Sequence, residues 1–259
     1  MCRIAAYIGP PITLKQFMLQ PSHSLYRQSW DARELTETRI SADGFGVVWQ
    51  KNEQLYNYRN TCPVWQDSNL PALAENLNSG LWLGNVRSAT PGLGISTENT
   101  QPFAHADLAF THNGRIQNFS QQARSLIRNQ LSADIEADIV GNTDSEYLFA
   151  LFRQVVQQTG ALNRQCAEIF IQCVDDLLHD LEALLTCVIS DGSQLLAIRH
   201  AIGGLQCPSL YYSDSHPDFK DGMIVASEAF DTQAQWHELP PHHLMFLKPN
   251  QTPQPVSIA

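Results

Sequence analysis

Cys2 stands directly behind Met1 at the head of MCRIAAYIG. Removal of an initiator Met is favoured when the next residue is small, and Cys qualifies. The product is a thiol on a residue that carries its own free α-amine. That amine has a reference pKa of about 7.7–8.0, so it is a usable base at neutral pH. A thiol of pKa ~8.5 is already a few per cent ionised there. Nucleophile and base then sit on one residue at a fixed short distance, with no His required. The plainer reading is a chance Cys at a frayed terminus, and Cys2 taken alone favours it.

Four further stretches carry residue types that could do chemistry. THNGRIQNF puts Asn113-Gly114 at the end of an apolar strand. It is either an ordinary Asn-Gly hairpin turn, or an oxyanion hole in which the Asn amide and the Gly N–H meet a developing negative oxygen. GNVRSAT carries Arg87 at another strand end, as a surface ion pair or as a fork for a substrate carboxylate. GNTDSE carries Asp144 in a helix's first turn. There it favours the helix dipole, or accepts from a substrate ammonium. ADGFGVVW holds Gly44 and Gly46, for a tight turn that allows close approach.

The elements that must position these residues fall into three blocks. The first half reads as strands: Arg3–Ile8, Gly44–Trp49 and Gln54–Tyr58 as a hairpin, then Leu81–Ala89 and Asp107–Asn113. The middle reads as helices. Phe119–Asn129 is one. In NTDSEYLFALFRQVVQQ, Leu148, Leu151, Phe152 and Val155 fall at i, i+3, i+4, i+7, behind a capping box of Thr143 and Glu146. Asn163–Leu178 is a third. The last third returns to strands. Asp191-Gly192 between two alternating runs is the strongest short hairpin signal, and SLYYS, GMIVAS and HLMFLK follow. Strands, helices, strands imply an α+β architecture of antiparallel sheets with helices outside. No repeat or linker interrupts the chain, and one domain over 1–259 is the simpler reading.

Composition narrows the function classes. The chain has 259 residues, 43% hydrophobic, with a net charge of -10 and no basic run. That balance excludes a phosphate-backbone binder. No apolar stretch reaches membrane-span length, and neither terminus reads as a secretory signal or lipid anchor. A cytoplasmic protein is expected, with its six cysteines as free thiols. Cys166 and Cys173 share a helix face and read as packing. The nine histidines show no zinc spacing, and His242-His243 would point to opposite faces of a strand. No metal and no cofactor are expected. Oligomeric state stays open, a homo-oligomer included.

Taken together and in this order, the motifs resemble the class II glutamine amidotransferases, the N-terminal-nucleophile branch. The resemblance runs nearly end to end: MCR, DGFGVVW, VRSAT, NTQPF, THNG, NTDSE, VASEAFD and WHELPPHHLMFLK. The last two mark a single-domain subgroup. Within it, PSHSLYRQSWDARE and CPVWQDSNLP look most like the ergothioneine-pathway γ-glutamyl hydrolases, with the Dug-type glutathione-degrading enzymes as near neighbours. The resemblance implies a four-layer αββα sandwich of two antiparallel sheets. It implies Cys2 as nucleophile, Asn113 and Gly114 as the oxyanion pair, Arg87 as carboxylate binder and Asp144 as ammonium binder. Thr90 would be a further contact to the same carboxylate.

The implied reaction is hydrolysis of a γ-glutamyl amide of a small metabolite, of the γ-glutamyl-hercynylcysteine S-oxide type, with release of glutamate. The alternatives are glutathione cleavage, a glutaminase subunit feeding ammonia to a separate synthase, and, from another class, an inactive scaffold subunit. Two departures from many synthase-linked relatives stand out. Ser88 replaces a Trp after Arg87, and Gln101-Pro102-Phe103 replaces His-Pro-His. Both are expected around the lid of the glutamyl pocket, where they fit a leaving group larger than ammonia. Loops around Trp30–Arg33 and Trp65–Asp67 are expected to shape its pocket.

Overall fold

The structure is a computed structural model that describes residues 2–34, 40–89, 94–232 and 234–258. Its strands are β1 (Arg3–Thr13), β2 (Phe45–Lys51), β3 (Gln54–Asn60), β4 (Asn78–Val86), β5 (Phe103–His105), β6 (Leu108–Ile116) and β7 (Ala183–Ser190). They continue with β8 (Leu195–Ile202), β9 (Tyr211–Ser213), β10 (Met223–Ala226), β11 (His237–Glu238), β12 (His243–Leu247) and β13 (Val256–Ser257). The helices are α1 (Leu14–Met18), α2 (Leu25–Gln28), α3 (Leu70–Asn76), α4 (Arg124–Arg128), α5 (Ala133–Ala137), α6 (Asp144–Thr159) and α7 (Arg164–Leu178).

The strands form two sheets, in the orders β11-β9-β10-β1-β4-β2-β3 and β13-β12-β8-β7-β6-β5, and the pairings are antiparallel. Strand alternation assigns each face. Ile4, Ala6 and Ile8 of β1 meet Ala109, Val188 and Ala197 of the other sheet in an apolar layer between the sheets. Ala5 and Tyr7 turn outward and pack with Phe17, Leu25 and Ala74 of the first three helices. On the far side Phe110, Leu185 and Ile198 pack with Ile127, Phe152 and Phe170 of α4, α6 and α7. The result is the expected helix–sheet–sheet–helix stack.

Local chemistry explains most boundaries. Asn52 and Glu53 join β2 to β3 with φ 51° and 63°, the left-handed pair of a two-residue hairpin. Asp191 and Gly192 open the β7–β8 loop, where the Asp191 carboxylate accepts from the Ser193 N–H at 2.9 Å. Thr143 caps α6 by accepting from the Glu146 N–H at 3.2 Å. Only that half of the expected capping box forms, because Glu146 turns back to the Val140 N–H at 3.0 Å. The single helix expected over Phe119–Asn129 is a π-helical turn, Phe119–Ala123, running into α4.

Asn113-Gly114 is the main departure. Instead of ending a strand or turning a hairpin, it lies inside β6, opposite Thr186 and Leu185. A Cβ on Gly114 would collide with the Leu184 carbonyl and the His112 ring. Glycine is needed there for close approach, not for a turn.

Candidate active site

Two segments distant in sequence fix the N-terminus. In the β1–β4 ladder Arg3 opposes Val86 and Ile4 opposes Asn85. Cys2, one step beyond, places its thiol 3.9 Å from the Ser88 carbonyl. Ser227 clamps the other edge: its hydroxyl accepts from the Ile4 N–H at 3.0 Å and its N–H donates to the Ile4 carbonyl at 2.9 Å. The Arg3 Nε donates to the Cys2 carbonyl at 2.7 Å, and its Nη1 meets Glu228 at 3.2 Å. Glu228 also accepts from His23 Nε2 at 2.8 Å and from the Arg33 and Glu34 N–H groups at 2.9 and 3.2 Å. Burial opposes ionisation of Glu228, but the bonds from His23 and Arg33 and the Arg3 charge hold its carboxyl below the usual range. Its capacity is largely spent on holding the segment that carries Cys2.

The oxyanion candidates are the opposite case. The Asn85 Nδ2 donates to Thr111 Oγ1 at 3.1 Å and ties the sheets together. Two residues further on, Asn113 lies on the same face of β6 as Thr111. Asn113 is fully buried, yet neither its Nδ2 nor its Oδ1 has a hydrogen-bond partner among the described residues. The Thr186 hydroxyl opposite, and Asn85 Oδ1, are likewise unpartnered there. Orphaned buried polar groups are costly, which makes this cluster a candidate binding site.

The backbone beneath Asn113 is held rigidly. Gln101 accepts from the His112 N–H at 2.6 Å and donates to the His112 carbonyl at 3.1 Å. The His112 Nε2 lies 2.9 Å from the Leu184 carbonyl, so that nitrogen carries the proton, and Nδ1 accepts from Ser145 Oγ at 2.9 Å. Burial pushes the His112 pKa down, with Asp144 acting against it, which keeps the ring neutral. Gln101 is therefore part of the frame behind the strand, not a lid, and Phe103 packs among Phe110 and Phe149.

Arg87 is buried after β4. Its guanidinium makes two long bonds, both 3.4 Å, to the carbonyls of Asp43 and Gly94. Burial lowers its pKa, and Cys2, Asp43 and Asp144 lie within electrostatic reach and raise it. The ADGFG turn holds this segment: the Gly44 carbonyl accepts from the Arg87 N–H at 2.8 Å, and Asp43 Oδ2 accepts from the Ala89 N–H at 2.8 Å. Gly44 has φ +120° and a Cβ there would lie 2.8 Å from the Asn60 carbonyl. Asp144 is buried at the start of α6 and accepts from the Ile116 N–H at 2.9 Å and the Ser145 N–H at 2.8 Å. Oδ1 also lies 3.3 Å from the Ser145 hydroxyl, so Oδ2 is the oxygen that keeps a second lone pair for a ligand. Thr90 and Met1 lie outside the described residues.

The other candidate groups are structural. The Trp30 and Trp65 rings meet edge-to-face at 5.6 Å, so the two expected loops do come together. Asp67, however, is bonded to Tyr58, Asn60 and the Asn69 N–H. His216, Asp218 and Asp231 group within 4.8 Å. The His216 Nδ1 accepts from the Asp218 N–H at 3.1 Å, which leaves the ring proton on Nε2, facing Asp231 at 3.2 Å. That tautomer is a helix cap, not a metal ligand. The His pair expected on one strand is split, since His242 precedes β12: its Nδ1 lies 3.0 Å from His200 Nδ1, and His200 Nε2 lies 2.8 Å from Asp175. Cys166 packs in the helix-side core, with Cys173 at its edge. The signals missed were Glu228, His112, Gln101, Ser145 and Thr186. Of these only Thr186 lay outside the motifs already singled out: Glu228 falls in VASEAFD, Gln101 in NTQPF, His112 in THNG and Ser145 in NTDSE.

Comparison with known proteins places the chain in a family. The class II glutamine amidotransferase family model matches residues 17–207, a range that holds Arg87, Asn113, Gly114 and Asp144 but not Cys2. The "Probable glutamine amidotransferase DUG3" of Saccharomyces cerevisiae is 28% identical, with 96% of this chain and 82% of that protein aligned. The "Gamma-glutamyl-hercynylcysteine sulfoxide hydrolase" of Mycolicibacterium smegmatis is also 28% identical, over 95% of each. A class-II glutamine aminotransferase domain protein from Silicibacter pomeroyi has a similar structure, with TM-score 0.68, 25% identity, and 99% of this chain and 100% of that one covered. The glutamine PRPP amidotransferase of B. subtilis, at 18% identity and TM-score 0.65 over 100% of this chain and 49% of that one, shares the fold. By the family match and by the two-sheet stack that carries the site, this chain belongs to the class II glutamine amidotransferases.

Proposed function

We propose that the protein is a γ-glutamyl amidohydrolase that works through an N-terminal Cys2. The observation that carries this reading is the buried amide of Asn113, unpartnered among the described residues, on the strand that faces β1 across the sandwich. Loss of Met1 would give Cys2 its free α-amine. Arg87 and Asp144 then hold the α-carboxylate and α-ammonium of the glutamyl group, with Thr90 as a further carboxylate contact, and these opposite charges fix the register of the side-chain amide. The thiol proton passes to the α-amine, and sulfur bonds to the γ-carbonyl carbon. Asn113 Nδ2 and the Gly114 N–H stabilise the oxyanion. The C–N bond breaks as the amine returns the proton to the leaving nitrogen. Water then attacks the thioester, the S–C bond breaks, and glutamate leaves.

The relatives support the substrate class. One is named for a γ-glutamyl-hercynylcysteine sulfoxide substrate, which fits an amide larger than glutamine, acted on in the cytoplasm. The relative named a glutamine amidotransferase supports a second reading: a glutaminase, or glutathione-cleaving, subunit. Glutamate release from γ-glutamylcysteine-type amides, glutathione and glutamine, each followed with purified protein, separates them. Turnover of a γ-glutamyl amide without a second protein is expected. Release from none of the three would favour an inactive scaffold.

A further inference from the structure

Arg87 and Asp144 stand on different elements, just past the end of β4 and at the start of α6. For both to read one glutamyl group, the distance between them must be fixed, so it matters what joins those elements. Residues 94–101 do so. At one end the Gly94 carbonyl accepts from Arg87 Nη2 at 3.4 Å. At the other, Gln101 Nε2 donates to Ser145 Oγ, next to Asp144, at 3.2 Å. Asn99 lies between them, is buried, and bonds in both directions. Its Nδ2 donates to the Gly94 carbonyl at 3.1 Å and to Asn142 Oδ1 at 3.0 Å. Its Oδ1 accepts from the Asn142 N–H at 3.0 Å. One carbonyl therefore receives both Arg87 and Asn99, and the amide that holds it also holds the backbone two residues before Asp144. Both Nδ2 hydrogens are used, which fixes the orientation of the amide.

The turn before α6 is shaped for this contact. Glu146 accepts from the Val140 N–H at 3.0 Å. A Cβ on Gly141 would lie 2.5 Å from Asn99 Oδ1 and 2.5 Å from Glu146 Oε2. Glycine lets the turn close down on both side chains. The bonds of Asn99 go to the frame, so its effect reaches a substrate through Arg87 and Asp144. That effect is stereochemical. Inverting the α-carbon of a glutamyl group exchanges the directions of its ammonium and carboxylate relative to the side-chain amide. With Arg87 and Asp144 at a fixed separation, only one hand brings the amide to Cys2. A misplacement of about 1 Å can cost about 10²-fold in rate.

Resting on the γ-glutamyl reading above, we propose that Asn99 is a positioning residue that locks Arg87 to Asp144 and so sets the preference of the glutamyl pocket for the L over the D isomer. The test is kcat/KM for L-γ-glutamyl-L-cysteine against its D-γ-glutamyl isomer, with L- and D-glutamine alongside. The ratio of the two hands does not depend on the amount of active protein, so a loss of stability alone leaves it unmoved. The wild-type protein is expected to prefer the L form by about 10²-fold or more. Asn99→Ala is expected to shrink that ratio by about tenfold or more, mainly through a raised KM for the L form. Asn142→Ala removes one of the three bonds and keeps the backbone donor, so a smaller fall in the same direction is expected. An unchanged ratio in Asn99→Ala, or in Asn142→Ala where Asn99→Ala does not fold, overturns the proposal and leaves the γ-glutamyl reading standing. A wild-type protein that turns over both hands equally does the same. No glutamate from any of the four compounds overturns both.

Discussion

Glu228 and Asn113 are both buried polar side chains beside the N-terminal strand, and they are treated in opposite ways. Glu228 receives bonds from Arg3, His23 and the N–H groups of Arg33 and Glu34. Asn113 receives none among the described residues. A saturated buried carboxylate is a framework part, since its bonding capacity is used up in holding chain segments together. An unsaturated buried amide costs stability and persists where a ligand supplies the missing partner. The contrast separates the residues that hold Cys2 from the one proposed to act with it.

Substitutions sharpen the contrast. Cys2→Ala is expected to abolish glutamate release while leaving the fold intact, because it removes only the sulfur. Glu228→Gln breaks a buried charge pair and is expected to cost about 3–5 kcal/mol of stability, read as a lower urea midpoint. A change within a few tenths of a kcal/mol would show that the cradle is ornamental. Asn113→Ala should do the reverse. Loss of one oxyanion donor typically costs about 10²–10³ in rate, while deleting an unpartnered buried amide leaves stability unchanged or raised. If Asn113→Ala keeps most of its turnover, the oxyanion assignment is wrong.

The smallest effect is a pH dependence of stability. Burial lowers the folded-state pKa of His112, so below its unfolded value of about 6.5 the unfolded chain takes up a proton that the fold refuses. Stability therefore falls as pH drops below that value, by at most about 1.4 kcal/mol per pH unit from this one group. Urea midpoints at pH 7.5 and 5.5 should show the fall, and His112→Gln should flatten it. A flat wild-type profile would contradict a neutral buried ring.

What the sequence made legible follows the range of the interactions. The i, i+3, i+4, i+7 pattern of Leu148, Leu151, Phe152 and Val155 marks α6 because helical neighbours are near in sequence, and all four are buried. Asp191-Gly192 marks its hairpin because the loop bonds are local. Asn113-Gly114 carries the same turn-forming letters, but the Leu184 carbonyl, far along the chain, decides that it stays in a strand. The Glu228 cradle joins residues near both ends of the chain, and His200 meets His242 across two strands. Neither leaves a local pattern. The family resemblance supplied what spacing could not, by marking residues whose partners only the folded chain brings near.

The central claim, a free N-terminal Cys2 inside a glutamyl-selective pocket, is tested most directly by intact mass. The purified protein is weighed before and after incubation with 6-diazo-5-oxo-norleucine, and any adduct is placed by peptide mapping. Loss of Met1 and a single adduct on Cys2 are predicted. A retained Met1 with no adduct would contradict the account, since the α-amine of Cys2 would then be locked in a peptide bond and the proposed base would not exist.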